Sequence, residues 1–280
     1  MFKPNLSLSV NVFGIKWFEN GKYQITNEEE FLIKYLKGMK DNGFYGIELS
    51  TLGPWNEQEE RESYPFVKRA VELIKSYDIK LTSVHLPFAC LDWQFSSLDE
   101  SVRKKAVETF KWAVDFYKND MPNCFVIHPD PKPENDSDRR YQLEQLTKSM
   151  AEVCEFLPNL VCVENMTGSG LLNVSSEALS LLNAVPKLNM TIDVNHIFYE
   201  APNDYILKIG SRVKNVHISD RDDIKERHYL PGEGIIDFKS IISALDKVSY
   251  SGTFTYELAL KQNSYTCEQI KNNYDKLFNN

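Results

Sequence analysis

The sequence predicts an α/β protein: one (β/α)8 TIM barrel, a single domain spanning residues 1–280. Short apolar runs alternate with longer amphipathic stretches, and the alternation repeats eight times. Size agrees, because a barrel of eight β/α units takes about 250 residues.

The strand-like runs are LSLSVNVF (6–13), YGIELS (45–50), KLTSVHL (80–86), NCFVIH (123–128), LVCVEN (160–165), MTIDV (190–194), VKNVHIS (213–219) and GTFTYEL (252–258). Their starts recur about every 35 residues, the length of a strand plus the crossover helix that parallel pairing needs. Near-continuous apolar character is expected of strands covered on both faces. One helix is predicted from near Ser97 through DESVRKKAVETFKWAVDFYKN, where Val102, Ala106, Phe110 and Val114 recur at four-residue steps. Another runs from Asp136 and ends before Pro158. A doubly wound open sheet is the alternative arrangement. Its dinucleotide-binding version is disfavoured, because VFGIKWFENG after the first strand lacks the Gly-rich phosphate fingerprint.

Composition is that of a globular protein, 42% hydrophobic and 26% charged. No apolar run reaches the roughly 18 residues of a spanning helix, and the first residues read as a strand rather than a leader. The expectations are no membrane association and a cytoplasmic location. The net charge of −8 disfavours a nucleic-acid partner, whose phosphates need clustered Lys and Arg. Five cysteines (Cys90, Cys124, Cys154, Cys162, Cys267) are an odd number without CxxC spacing and read as reduced core residues. The oligomeric state is open, with a homodimer as the default.

The polar residues carry the functional signal. His85, His128, His196 and His217 end or closely follow strand runs, and His228 lies in the loop after the seventh run. Carboxylates break the apolar pattern at Glu48, Glu164, Asp193 and Glu257. Taken singly, a strand-end His or Glu is more often a hydrogen-bonded structural residue. Taken together, they would converge at one mouth, because all strands of a barrel end on the same face. Carboxylates gathered there would repel one another strongly, and a bound cation relieves that repulsion.

The motifs GIEL (46–49), VHLPF (84–88), VIHP (126–129), VEN (163–165), IDVNH (192–196), VHISD (216–220), HYLPGEGIIDF (228–238) and YEL (256–258) occur in an order that resembles the xylose-isomerase-like barrel superfamily. The sugar-phosphate isomerase/epimerase branch matches best in motif order, and the resemblance covers essentially the whole chain. It implies one divalent metal held by Glu164, Asp193, His217 and Glu257. Two Glu, one Asp and one His suit Mn2+ best, with Zn2+, Co2+ or Mg2+ as alternatives. It also implies that His196 touches substrate oxygens, that the His228 loop closes one side of the site, and that His85 and His128 lie on the substrate side.

The implied activity is that of an isomerase or epimerase acting on a ketose or related polyol ketone. Proton abstraction next to a carbonyl, through a metal-stabilised enediolate, would use Glu164 and Glu257. Glu48 is expected to orient His85 or a substrate hydroxyl. Trp17, Trp93 and Phe88 are read either as an apolar wall or as packing, and Arg221 either as an anion contact or, more often, as a solvated loop charge. A dehydratase acting on a cyclic polyol ketone or a dehydroshikimate-like acid begins with the same proton removal. The endonuclease IV type of the superfamily is a further alternative. There His85 and His128 would share one zinc with Glu164, and His196 and His228 another. Against it stand Glu226 where that type has Asp, and the acidic loop 50–63 with Glu57, Glu59, Glu60 and Glu62. A non-catalytic sugar-binding barrel would predict a damaged ligand set, yet all four positions hold competent residues.

Overall fold

In the computed structural model, the described residues are 2–17, 23–51, 57–88 and 90–279. The strands are β1 (Asn5–Asn11), β2 (Phe13–Trp17), β3 (Tyr23–Asn27), β4 (Gly46–Ser50), β5 (Lys80–His85), β6 (Cys124–Ile127), β7 (Val161–Glu164), β8 (Asn189–Asp193), β9 (Val213–Ile218) and β10 (Thr253–Tyr256). Eight of them close into a barrel in the order β1-β10-β9-β8-β7-β6-β5-β4. All neighbours are parallel, and β1 completes the ring by pairing with both β10 and β4. The helices are α1 (Glu29–Asp41), α2 (Glu57–Ser76), α3 (Glu100–Asp115), α4 (Asp136–Phe156), α5 (Ser175–Ala184), α6 (Pro202–Ile209), α7 (Phe238–Lys247), α8 (Leu260–Asn263) and α9 (Cys267–Phe278).

The helix boundaries follow local chemistry. The Asp99 carboxylate accepts from the Ser101 N–H at 2.8 Å and starts α3, and Asn135 caps α4 in the same way at Asp138. These side chains satisfy donors that the first helical turn leaves without partners. On α3, Ala106, Val107, Phe110, Ala113 and Val114 are buried, which makes one apolar stripe. None of the five cysteines forms a disulfide, and Cys124 and Cys162 pack with Val126 as small buried groups. No helix among the described residues is long and apolar enough to cross a membrane.

Two features depart from the expected pattern. The run 6–13 is not one strand: β1 ends at Asn11, whose side-chain oxygen accepts the Phe13 N–H at 3.1 Å. There the chain leaves the barrel and enters an antiparallel pair, β2 with β3, at the C-terminal end of β1. The barrel lumen is also polar where branched apolar residues are usual. Ser7 and Thr82 share a hydrogen bond of 2.9 Å, Thr255 donates to Asn215 at 3.2 Å, and Asn215 and Ser83 both donate to Glu48. Leu6, Leu8 and Val10 alternate with Ser7, Ser9 and Asn11, so β1 turns its apolar side to the helices.

The apolar core therefore lies between barrel and helices. Leu8 is fully buried there, and Leu8→Ala is expected to cost about 2–5 kcal/mol. Urea unfolding followed by circular dichroism measures it, as a lower midpoint at unchanged slope.

Candidate metal centre

Glu164 is the last residue of β7 and Asp193 the last of β8. His217 is the penultimate residue of β9, and Glu257 directly follows β10. Parallel register puts Asp193 beside His217, and His217 beside Thr255. One donor atom from each of Glu164, Asp193, His217 and Glu257 lies within 4.8 Å of the other three. Four residues spread along the chain thus meet at the barrel's C-terminal mouth.

Their hydrogen bonding is incomplete. Asp193 Oδ2, Glu257 Oε2, Glu164 Oε2 and His217 Nδ1 are buried without a hydrogen-bond partner. His217 Nδ1 stands 3.0 Å from Glu257 and 3.4 Å from Glu164, near enough for attraction but not aligned for hydrogen bonding. Buried orphan atoms are few in folded proteins, and one on each of four clustered residues fits a bound ion. Three carboxylates and one imidazole are suitable donors for a divalent cation.

The electrostatics agree. Burial opposes ionisation of Glu164, yet His217, His128 and His85 hold its carboxyl well below the usual range. Glu257 is likewise held low by His217 against the effect of burial. Asp193 is raised, first by burial and then by Glu257 and Glu164, with His196 opposing. Burial favours neutral His217, but Glu48, Glu257 and Glu164 lift its imidazole well above the ordinary value. The cluster demands positive charge at its centre.

Glu48 works differently from expectation. It sits in the middle of β4, fully buried, and its partner is His217 rather than His85. Glu48 Oε2 lies 3.0 Å from His217 Nε2 and accepts from Ser83 at 2.7 Å and Asn215 at 3.1 Å. A carboxylate behind one ring nitrogen fixes the imidazole and turns the other nitrogen, Nδ1, to the cluster.

Two further groups adjoin the first. His85, His128 and Glu164 form one, and His196, Glu226 and His228 the other, each with donor atoms within 4.8 Å. Glu164 connects them: Oε2 faces His85 at 3.2 Å and His128 at 3.5 Å, while Oε1 faces His217 and His196 at 3.4 Å. His85 Nδ1 donates to the Leu86 carbonyl at 2.9 Å, leaving Nε2 for Glu164. Glu226, which stands where the endonuclease IV type has Asp, lies 3.1 Å from His196 Nε2 and completes the third group. Asp193 stands on the same nitrogen at 3.3 Å. His228 has φ 51°, a strained value for a non-glycine residue, and Nδ1 lies 3.0 Å from the Glu257 carbonyl.

The remaining expectations divide. Phe88 stacks on His128 with ring centroids 4.2 Å apart and lines a cavity beside it. Trp93 is buried against Phe95 and is packing. The Trp17 side chain lies outside the described residues, as do those of Glu57, Glu59 and Glu60; Glu62 is exposed. Arg221 is not a solvated charge: 9% exposed, it donates to the carbonyls of Ile197 and Asp222 and lies 3.7 Å over the Phe198 ring.

Two positioning residues escaped the sequence reading. Asn165 accepts the Asp193 N–H at 2.9 Å, donates to the Asp193 carbonyl at 3.0 Å, and its own carbonyl meets His196 Nδ1 at 2.9 Å. Asp220, fully buried, accepts the N–H groups of Arg221, Gly232, Gly234 and Ile236 at 2.8–3.0 Å and so ties down the loop carrying His228. The available signals were the N of VEN and the D of VHISD, polar residues directly after a ligand motif. A larger cavity of about 600 Å3 lies at the opposite end of the barrel, lined by residues such as Thr82, Cys124 and Thr253, away from all three groups.

Glu48→Gln is expected to weaken Mn2+ binding about 10- to 100-fold, the usual effect of altering an outer-shell carboxylate. Titration calorimetry against Mn2+ measures this, with an unchanged circular dichroism spectrum as the control.

Comparison with known proteins places this geometry in context. An L-ribulose 3-epimerase of Methylomonas sp. (strain DH-1) is 24% identical over 235 residues, 80% of this chain and 77% of that protein. A fructoselysine 3-epimerase of Shigella flexneri is 25% identical over 170 residues, 57% of this chain and 61% of that protein. The crystal structure of a D-tagatose 3-epimerase-like protein superposes with a TM-score of 0.73 at 20% identity, covering 98% of both chains. Residues 36–272 match the family model described as the xylose isomerase-like TIM barrel. With strand order and family match in agreement, the chain belongs to the xylose isomerase-like TIM-barrel family.

Proposed function

We propose that the protein is a divalent-metal-dependent isomerase or epimerase of ketoses or related polyol ketones, working by proton transfer next to a carbonyl. The observation that carries this is the meeting of Glu164, Asp193, His217 and Glu257 within 4.8 Å, each with a buried donor atom lacking a partner. The epimerase relatives support the substrate class.

A cation held by those four residues, Mn2+ by preference, would supply Lewis acidity to a carbonyl and its neighbouring hydroxyl. The protein does the rest. Glu164 and Glu257 come from β7 and β10, with β8 and β9 between them, and so reach the centre from different sides. Both carboxyls are held ionised, as a base requires. One takes the carbon-bound proton and the other returns a proton, either to the opposite face or to the adjacent carbon. Glu257, 17% exposed, lines a cavity with His228. Glu164 is enclosed by His85, His128, His196 and His217, which fix its orientation. His196 stands between Asp193 and Glu226, placed to hold a substrate oxygen.

A second reading draws on one observation, three adjoining groups of possible ligands, two sharing Glu164 and the third touching it through His196. It is a metal-dependent phosphodiesterase holding three cations, the endonuclease IV type. Metal analysis separates the two readings: about one equivalent per chain favours the first, and three zinc ions with cleavage of abasic DNA favour the second.

The direct test is deuterium exchange from solvent into a panel of ketoses, with product identification. Exchange with epimer or isomer formation is expected; a metal-loaded protein that exchanges no ketose overturns the reading. Glu257→Gln is expected to lower turnover by at least about 100-fold while the melting profile is kept.

A further inference from the structure

A cavity of about 280 Å3 opens beside the carboxylate cluster, between the ends of β1 and β4 and the segment after β10. Ser9, Asn11 and Ser50 line it together with Glu257, His228 and Lys261. Register explains the first three: Ser9 pairs with Glu48 and Asn11 with Ser50, so alternate residues of both strands face the lumen together. Ser50 is buried, and its hydroxyl has no hydrogen-bond partner among the described residues. Such a hydroxyl is normally satisfied. At about 30 Å3 for each water-sized group, the cavity admits roughly nine of them, most of the length of a sugar chain.

Charge narrows what fits. Lys261 is the one lysine or arginine of this lining among the described residues, and it is already matched: Nζ lies 3.5 Å from Glu28 Oε2 and over the Phe31 ring. Glu257 brings negative charge to the same space. A phosphate would meet that carboxylate with no unmatched lysine or arginine to receive it, and with the His228 imidazole already turned by Nδ1 to the Glu257 carbonyl at 3.0 Å, whereas hydroxyls can donate to Glu257 and exchange hydrogen bonds with serine and asparagine. We propose that this cavity is the subsite for the non-reacting polyol arm of an unphosphorylated, open-chain ketose, read by Ser50, Ser9 and Asn11. The assignment rests on the ketose reading above and adds the substrate's chain length and its uncharged terminus.

The test is exchange kinetics for the metal-loaded wild type, Ser50→Ala and Ser9→Ala. The substrates are ketohexoses, their 6-phosphates and the ketotetrose erythrulose, which is too short to fill the cavity. In either variant KM for the ketohexose turned over should rise about three- to tenfold with kcat within about twofold, the effect of losing one neutral hydrogen bond in binding. KM for erythrulose should not move, and the 6-phosphates should be at least about tenfold poorer substrates than the free sugars. A change in general fold integrity would affect both chain lengths equally; should Ser50→Ala fail to fold, Ser9→Ala carries the comparison. Wild-type exchange with unchanged KM in both variants, or a preference for the phosphate esters, overturns the subsite while the ketose reading stands. No exchange with any ketose overturns that reading, and the subsite with it.

Discussion

Like charges crowded at the mouth of a closed sheet set the terms for this structure. Glu164, Asp193 and Glu257 bring carboxylates within a few ångströms, with Glu48 immediately behind His217. Two unit charges 4 Å apart interact by about 4 kcal/mol at an effective dielectric constant of 20. Several such pairs would exceed what a fold of ordinary stability tolerates, so the arrangement requires counter-charge. Imidazoles supply part of it, and a divalent cation at the shared point would supply it more compactly.

The barrel is built to hold that arrangement still. Its lumen carries serine, threonine and asparagine side chains bonded to one another, and through Ser83 and Asn215 the network ends on Glu48. Glu48 fixes His217, Asn165 joins the ends of β7 and β8, and Asp220 gathers the loop that carries His228. Each link starts from a buried polar group, so removing one member leaves another unsatisfied. Rigidity at the mouth follows from satisfaction below it.

Glu164 belongs to two of the three groups of possible ligands and touches the third through His196, so the geometry is compatible with a one-cation or a three-cation reading. The separation between the readings lies in what His85, His128, His196, Glu226 and His228 do. In the ketose reading they orient carboxylates and hold substrate oxygens; in the phosphodiesterase reading they are ligands. The cavity lined by Ser9, Asn11 and Ser50 favours the first, because neutral hydroxyls and an amide match a polyol, while Glu257 on the same wall repels a phosphate.

The sequence by itself determined the barrel and the positions of its candidate ligands. Eight apolar runs at a βα spacing leave little choice of topology, and ends of parallel strands share one face, so Glu164, Asp193, His217 and Glu257 were readable as a set. The antiparallel pair of β2 and β3 was hidden in the sequence, because the run 6–13 reads continuously across the end of β1. Only the tertiary structure decided who meets whom. That Glu48 backs His217 rather than His85, that Arg221 is buried over Phe198, that Glu226 reaches His196, and that Ser9, Asn11 and Ser50 share a cavity all depend on register and loop path. Local pattern encodes which way a side chain points along its own strand. It does not encode the offset between strands far apart in the chain, and that offset decides which polar groups come within hydrogen-bonding distance.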